Sequence, residues 1–378
     1  MPNHVPDRGL QLRTVVTEAG TVELSLVEVE VPAPRAAEVV IEVEAAPINP
    51  SDLGLLLAGA DPAQGVVSGT AERPVFTAPL PPAAQRAAAA RTGRSMPAGN
   101  EGAGTVVAAG NDPRAQHLLG RVVAVAGGAM YSQYRVVDAA SCLPLPEGAS
   151  ARDGAAAFVN PLTALGMVET MRAEGHAAMV HTAAASNLGQ MLQRLCLEEG
   201  VALVNIVRSD AQAAIMTDIG AAHVCDSSRE DFMARLTDSV GAVSATLAFD
   251  AVGGGRLASS ILTAMEAAAG AGTEFSRYGS SVHKQVYIYG GLDRGPTELT
   301  RSYGMAWGVG GWLLTPFLEK VGPDKVQELR GKVASGLTTT FASHFTDTVS
   351  LAGAVDPRTV AAYARQATGQ KYLVVPSG

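Results

Sequence analysis

From Thr21 to Val31 and again from Val39 to Ala45, apolar and polar residues alternate, the period of a strand with one buried face. Gly104 to Ala109 and Arg121 to Ala126 are short Val/Ala runs, each followed by glycine. Turn residues separate these runs at Pro32 to Pro34, Gly110 to Pro113 and Gly127-Gly128. The first 150 residues therefore read as β-rich. Between Ala58 and Ala98 the alternation is lost in an Ala- and Pro-rich stretch, expected to be a long surface loop with one short helix, serving as a lid or a decoration.

The texture changes near Ser150. Ala151 to Glu169 is helical in composition, and strands then alternate with helices. Ala177 to Thr182 reads as a buried strand. Asn187 to Glu199 reads as a helix with Leu188, Met191, Leu192 and Leu195 on one face. Val201 to Val207 is a second strand, and Ala211 to Ile219 is a helix stopped by Gly220. Ala245 to Phe249, Gln285 to Tyr289 and, near the end, Tyr372 to Val375 are further strands. The alternation predicts a parallel doubly wound sheet. The expected division is residues 1–150, residues 151–335, and a last segment 336–378.

Composition narrows the classes. The chain has 378 residues, 17% of them charged and 47% hydrophobic, which suits two packed domains rather than a disordered chain. A net charge of −8 disfavours nucleic acid and anionic membrane surfaces as partners. An uncharged run, Ser302 to Leu318, is interrupted by four glycines and Pro316 and is too short to span a bilayer. No secretory signal is visible in the first thirty residues, and Cys142, Cys196 and Cys225 are scattered, so a reducing cytoplasm is the expected location. The histidines, at 4, 117, 176, 181, 223, 283 and 344, show no metal-ligand spacing.

The sharpest local pattern runs from Ala177 to Gly189. A strand enters a turn of small residues that opens a helix, the arrangement that lets a diphosphate approach free backbone N–H groups. Ala183, Ser186 and Gly189 stand where a GxGxxG-like loop carries glycines, and Ser186 can cap the helix. Arg208 follows the second strand, 19 residues beyond Gly189, with Asp210 two further on. An acid at that strand end would hold the ribose 2′-hydroxyl of NAD; an Arg suits the 2′-phosphate of NADP. The order favours NADPH. Phe249 to Gly254 and Tyr289-Gly290-Gly291 place further glycines at strand ends along the same crevice.

These pieces, with Pro47 to Asp52, Gly99 to Gly104, Gly120 to Val123, Val159 to Ala164 and Gly369 to Leu373, resemble the zinc-independent medium-chain dehydrogenases/reductases in order and spacing. Asn49-Pro-Ser-Asp52 and Asn160-Pro-Leu-Thr163 are similar to the quinone reductase and 2-enoyl reductase branch. The resemblance implies an α/β architecture: a GroES-like β-rich catalytic domain plus a Rossmann domain, a cleft between them, a C-terminal return to the catalytic domain, and a homodimer.

It also implies roles. Asn49 and Thr163 would lie beside the nicotinamide, supported by Asn160. Ala185, Ser186, Asn187 and Leu188 would face the pyrophosphate, with Arg208 on the 2′-phosphate. Ala251 and Val252 would line the ribose, and Tyr289, Gly290, Gly291 and Lys371 the rest of the cofactor. Trp312 would line the acceptor site, with a core tryptophan the alternative. Zinc alcohol dehydrogenases of the family carry Cys near the position of Asn49; here that region has neither Cys nor His, so no metal is expected. Without a Lewis acid, the chemistry suits quinones and activated alkenes. Enoyl reductases carry a Tyr shortly after the Asn-Pro-Ser-Asp segment; none occurs here before Tyr131, leaving Tyr131 or Tyr134 as candidate donors. Three readings follow: an NADPH-dependent quinone or enone reductase, an enoyl-thioester reductase, and an inert NADPH-binding protein.

Overall fold

The structure, a computed structural model, describes residues 5–272 and 274–377, so His4 lies outside it. It divides into two compact units, Met1–Val159 with Arg330–Gly378, and Asn160–Leu329.

The first unit is built on two sheets. One runs Val66–Gly69, Pro74–Pro79, Thr21–Glu30, Arg8–Val16, Met96–Pro97, with neighbours antiparallel. Along Thr21–Glu30 every second residue is buried at first, so Val22, Leu24 and Leu26 point inward with Leu12 and Phe76 from the flanking strands. The other sheet runs Leu143–Pro144, Val122–Ala126, Glu101–Ala109, Glu38–Pro47, Tyr372–Val374, Asp347–Val349, and Tyr134–Asp138 also pairs with Glu38–Pro47.

The long-loop expectation for 58–98 is corrected. The stretch holds the hairpin of Val66–Gly69 and Pro74–Pro79, the helix Pro82–Ala88 and two 3-10 turns. Prolines at both ends of Pro74–Pro79 hid an alternating strand whose Phe76 and Ala78 are fully buried.

The second unit carries six parallel strands in the spatial order His223–Asp226, Ala202–Val207, Ala178–His181, Leu247–Asp250, Lys284–Ile288, Trp307–Gly311. Numbered by sequence this is 3-2-1-4-5-6, the doubly wound order whose direction reverses beside the first strand. All four residues of Ala178–His181 and of Leu247–Asp250 are buried, as strands covered on both faces must be. The helix Asn187–Glu198 buries Leu188, Met191, Leu192 and Leu195. The third strand, His223–Asp226, has little signal in the sequence because it is four residues long and begins and ends on polar residues. The expected helix 151–169 is two helices, Ala151–Gly154 and Val159–Ala173. The uncharged run 302–318 contains the edge strand Trp307–Gly311, and no helix among the described residues is long and apolar enough to cross a membrane.

Candidate functional site

In the second unit the chain leaves strand Ala178–His181 at the point where the strand order reverses, the crevice in which such sheets take ligands. Ala184 N–H donates to the Ile206 carbonyl (3.1 Å), and Thr182 N–H to the Phe249 carbonyl (3.2 Å), so the turn bridges strands on both sides. Ala183 has φ +49°, a left-handed conformation normally left to glycine. The backbone thus keeps a glycine-like shape where the residue type does not. Ala183→Gly is expected to raise stability by about 0.5–1 kcal/mol, read as a higher urea midpoint; an unchanged or lower midpoint would contradict the strain.

Ser186 caps the helix, its Oγ accepting from Gly189 N–H (3.2 Å). A Cβ on Gly189 would lie 2.1 Å from the Ala184 carbonyl oxygen, so only glycine allows the helix to pack this closely on the turn. Ala185 and Leu188 are buried, and Ser186 and Asn187 half-buried, at the helix start.

Across the crevice, Asp250 ties the second loop to the first. Its carboxylate accepts from Thr182 Oγ1 (2.7 Å), Val252 N–H (2.9 Å) and Gly253 N–H (3.2 Å). Ala251 N–H in turn donates to Thr182 Oγ1 (2.8 Å). Beyond it, the Tyr289 hydroxyl and His181 Nε2 lie 2.8 Å apart with their rings stacked. Burial pushes His181 down to about 3, so the ring is neutral. A Cβ on Gly290 would meet the Ala251 carbonyl at 2.5 Å, and Gly291 is exposed. The His181–Tyr289 pair has no signal in the sequence because its partners are 108 residues apart.

Arg208 is exposed at the carboxyl end of Ala202–Val207; its own N–H donates to Gln212 Oε1 (3.0 Å). Thr163 is buried and Asn160 half-buried at the start of helix Val159–Ala173. Trp312 is only 9% exposed: its Nε1 donates to Thr170 Oγ1 (3.1 Å), and it packs against Phe249 and Phe317. Those contacts are those of a core tryptophan.

The first unit holds a separate buried polar cluster. Asn49, the residue before helix Pro50–Leu57, donates from Nδ2 to Glu101 Oε1 (2.7 Å), while its Oδ1 is enclosed without a partner. Glu101 Oε2 accepts from the N–H groups of Phe158 and Val159, each at 2.9 Å. Asp52 accepts from the N–H groups of Asn49 (2.8 Å) and Asn100 (2.9 Å). Lys371 Nζ is enclosed, without a hydrogen-bond acceptor, above the Phe345 ring. Burial raises Glu101 and lowers Lys371 to about 8, each opposed by the charge of the other. The Tyr131 hydroxyl, fully buried, donates to the Pro47 carbonyl (2.9 Å), and burial with the nearby Asp52 holds its pKa well above the usual phenol. Neither Asp52 nor Glu101 was given a role from sequence; an acid inside the small-residue strand Glu101–Ala109 was the signal available.

Burial also raises Asp52 to about 7, against 3.8 for an exposed carboxyl. A raised acid contributes stability that is complete below its unfolded pKa and lost as pH rises through its folded one. Ionising Asp52 therefore costs on the order of 4 kcal/mol between pH ~4 and ~7. Urea unfolding of wild type and Asp52→Asn across that window is expected to show the variant gaining on wild type as pH rises. A gap that moves the other way would contradict this reading.

Comparison with known proteins bears on fold. No family model matches the chain, and no curated protein matches it. Solved structures do. A protein assigned as an NADPH:quinone reductase, from Mesorhizobium loti, is 29% identical over 98% of this chain and 99% of its own, with a TM-score of 0.72. The chain has the quinone-oxidoreductase fold. Escherichia coli quinone oxidoreductase, solved with NADPH, shares that fold at 19% identity and TM-score 0.67, covering 98% of this chain and 100% of its own. The CurK enoyl reductase has it too, at 15% identity and TM-score 0.67, with the same coverage. The quinone-oxidoreductase fold thus extends over both units rather than the parallel sheet alone.

Proposed function

We propose that the chain reduces quinones or conjugated carbonyls using NADPH. The observation that carries this reading is the small-residue turn at the reversal of the 3-2-1-4-5-6 sheet, with exposed Arg208 ending the adjacent strand. NADPH supplies a hydride when bound.

The residues fit such a cofactor. Ser186 holds the start of helix Asn187–Glu198 so that its first-turn N–H groups and partial positive charge meet the diphosphate. Arg208 pairs with the 2′-phosphate. Ala251 and Val252, fixed through Asp250 and Thr182, border the ribose, and Tyr289 is held by His181. In the first unit, Asn49 Oδ1 offers a buried acceptor and Lys371 Nζ a buried donor, neither hydrogen-bonded among the described residues. Both suit an amide or carbonyl ligand and follow the family resemblance. Asn49 also stands where zinc relatives carry a ligand cysteine, so the proposed chemistry is zinc-independent and depends on an acceptor that delocalises incoming charge. Tyr131 could act as proton donor only by first releasing the Pro47 carbonyl.

The reading extends to a homodimer through the half-buried edge strand Trp307–Gly311; sedimentation at a single-chain mass of 38.7 kDa would refute that extension. The function is tested by following NADPH oxidation with a panel of quinones, enones and crotonyl thioesters. Turnover of a quinone or enone is expected. Turnover of the thioester alone would favour an enoyl reductase, and bound NADPH without turnover an inert binding protein.

A further inference from the structure

Two signals of opposite meaning stand at the end of strand Ala202–Val207: Arg208, which suits a 2′-phosphate, and Asp210, which would accept from a free 2′-hydroxyl. Asp210 is the first residue of helix Asp210–Asp218, and its side chain is 88% exposed, so burial does not silence it. What meets it is Arg229. The Arg229 Nη1 lies 3.6 Å from Asp210 Oδ1, while its Nε reaches Asp231 Oδ1 at 3.4 Å. Arg235 contributes a second charge to Asp231 at 3.8 Å. Among the described residues Asp210 has no other ion pair and Arg208 has none.

The contact is built into the sheet. Strand His223–Asp226 lies parallel to Ala202–Val207 with Val207 opposite Asp226, so the two strands end level. Ser227 then fastens the following loop to the residue before Arg208: its N–H (2.8 Å) and its Oγ (2.9 Å) both donate to the Val207 carbonyl. Asp226, the acid that ends strand His223–Asp226, is buried and already accepts from Ser228 N–H (2.9 Å) and Oγ (2.8 Å). Arg229 is thereby delivered to Asp210, the exposed carboxylate that opens the helix after strand Ala202–Val207.

We infer that Arg229 is a specificity-determining residue: by pairing with Asp210 it withdraws the carboxylate that would favour NADH, and so leaves the adenosine end to Arg208 and the 2′-phosphate of NADPH. This rests on the NADPH reading above. Arg229 acts through Asp210 and need not touch the cofactor. Its loss leaves Asp210 without a counter-charge, an anion that repels a phosphate and accepts from a hydroxyl.

The test is a double-mutant cycle read as Kd for NADPH and NADH by fluorescence titration, using the full chain with Arg229→Ala, Asp210→Asn and both. Arg229→Ala is expected to cut the preference for NADPH over NADH about three- to fivefold, the upper range for an exposed ion pair, with NADH binding unchanged or tighter. In the Asp210→Asn background the same change is expected to move the preference by less than about twofold. An equal loss in both backgrounds would overturn the proposal, because Arg229 would then act on the phosphate directly. A preference for NADPH over NADH that does not change on Arg229→Ala with Asp210 in place would also overturn it while leaving the function intact. A folded wild-type chain that binds neither dinucleotide would remove the NADPH reading and this inference with it.

Discussion

A chain carrying Gly189→Val is expected to bind NADPH at least ~100-fold more weakly than wild type, and to be less stable by about 1–3 kcal/mol. The cause is local. The new Cβ would sit 2.1 Å from the Ala184 carbonyl oxygen and 2.8 Å from its Cα, and both are backbone atoms that no rotamer change can move. The helix start must lift away from the turn, carrying its first N–H groups off the diphosphate. Two charge-assisted hydrogen bonds at about 1.5 kcal/mol each account for that factor. Circular dichroism should show a folded chain and a titration should show the lost affinity. Wild-type affinity in a folded Gly189→Val chain would mean that the turn is not where the dinucleotide lies.

Arg208→Ala is expected to weaken NADPH binding by about 10–100-fold while changing NADH binding less than about threefold, because a hydrogen-bonded charge pair is worth about 1.5–3 kcal/mol. The Arg208 side chain is exposed, so its removal leaves no cavity and no orphaned partner. The effect should shrink as salt is added, as an exposed charge pair requires. Equal losses for both dinucleotides would place Arg208 at a part of the cofactor that the two share.

Much of the parallel sheet was legible because its strands obey simple rules. Ala178–His181 and Leu247–Asp250 are apolar runs bounded by small residues, and Asn187–Glu198 shows a clear helical face. The order of those strands was not legible in the same way, since pairing such as Leu247 against Met179 is a tertiary fact. The stretch 58–98 misled because composition outweighed period: Pro and Ala signalled a loop, while Phe76 and Ala78 were alternating into the core.

At the site, residue types conveyed the turn, its cap and Arg208. They did not convey that Ala183 holds a glycine's backbone angle, since strain has no signature in composition. Nor could they join Asn49 to Glu101, 52 positions apart, or Arg229 to Asp210, because both contacts exist only once strands lie side by side. Trp312 illustrates the converse: the family resemblance left an acceptor wall and a core tryptophan as alternatives, and a hydrogen bond from its indole to Thr170 had no signal in the sequence.

Calorimetric titration of the folded wild-type chain with NADPH and with NADH, at one ionic strength, tests the central claim most directly. The account predicts one NADPH bound per chain, at least tenfold tighter than NADH. A well-folded chain that takes up neither dinucleotide, or that prefers NADH, would contradict it.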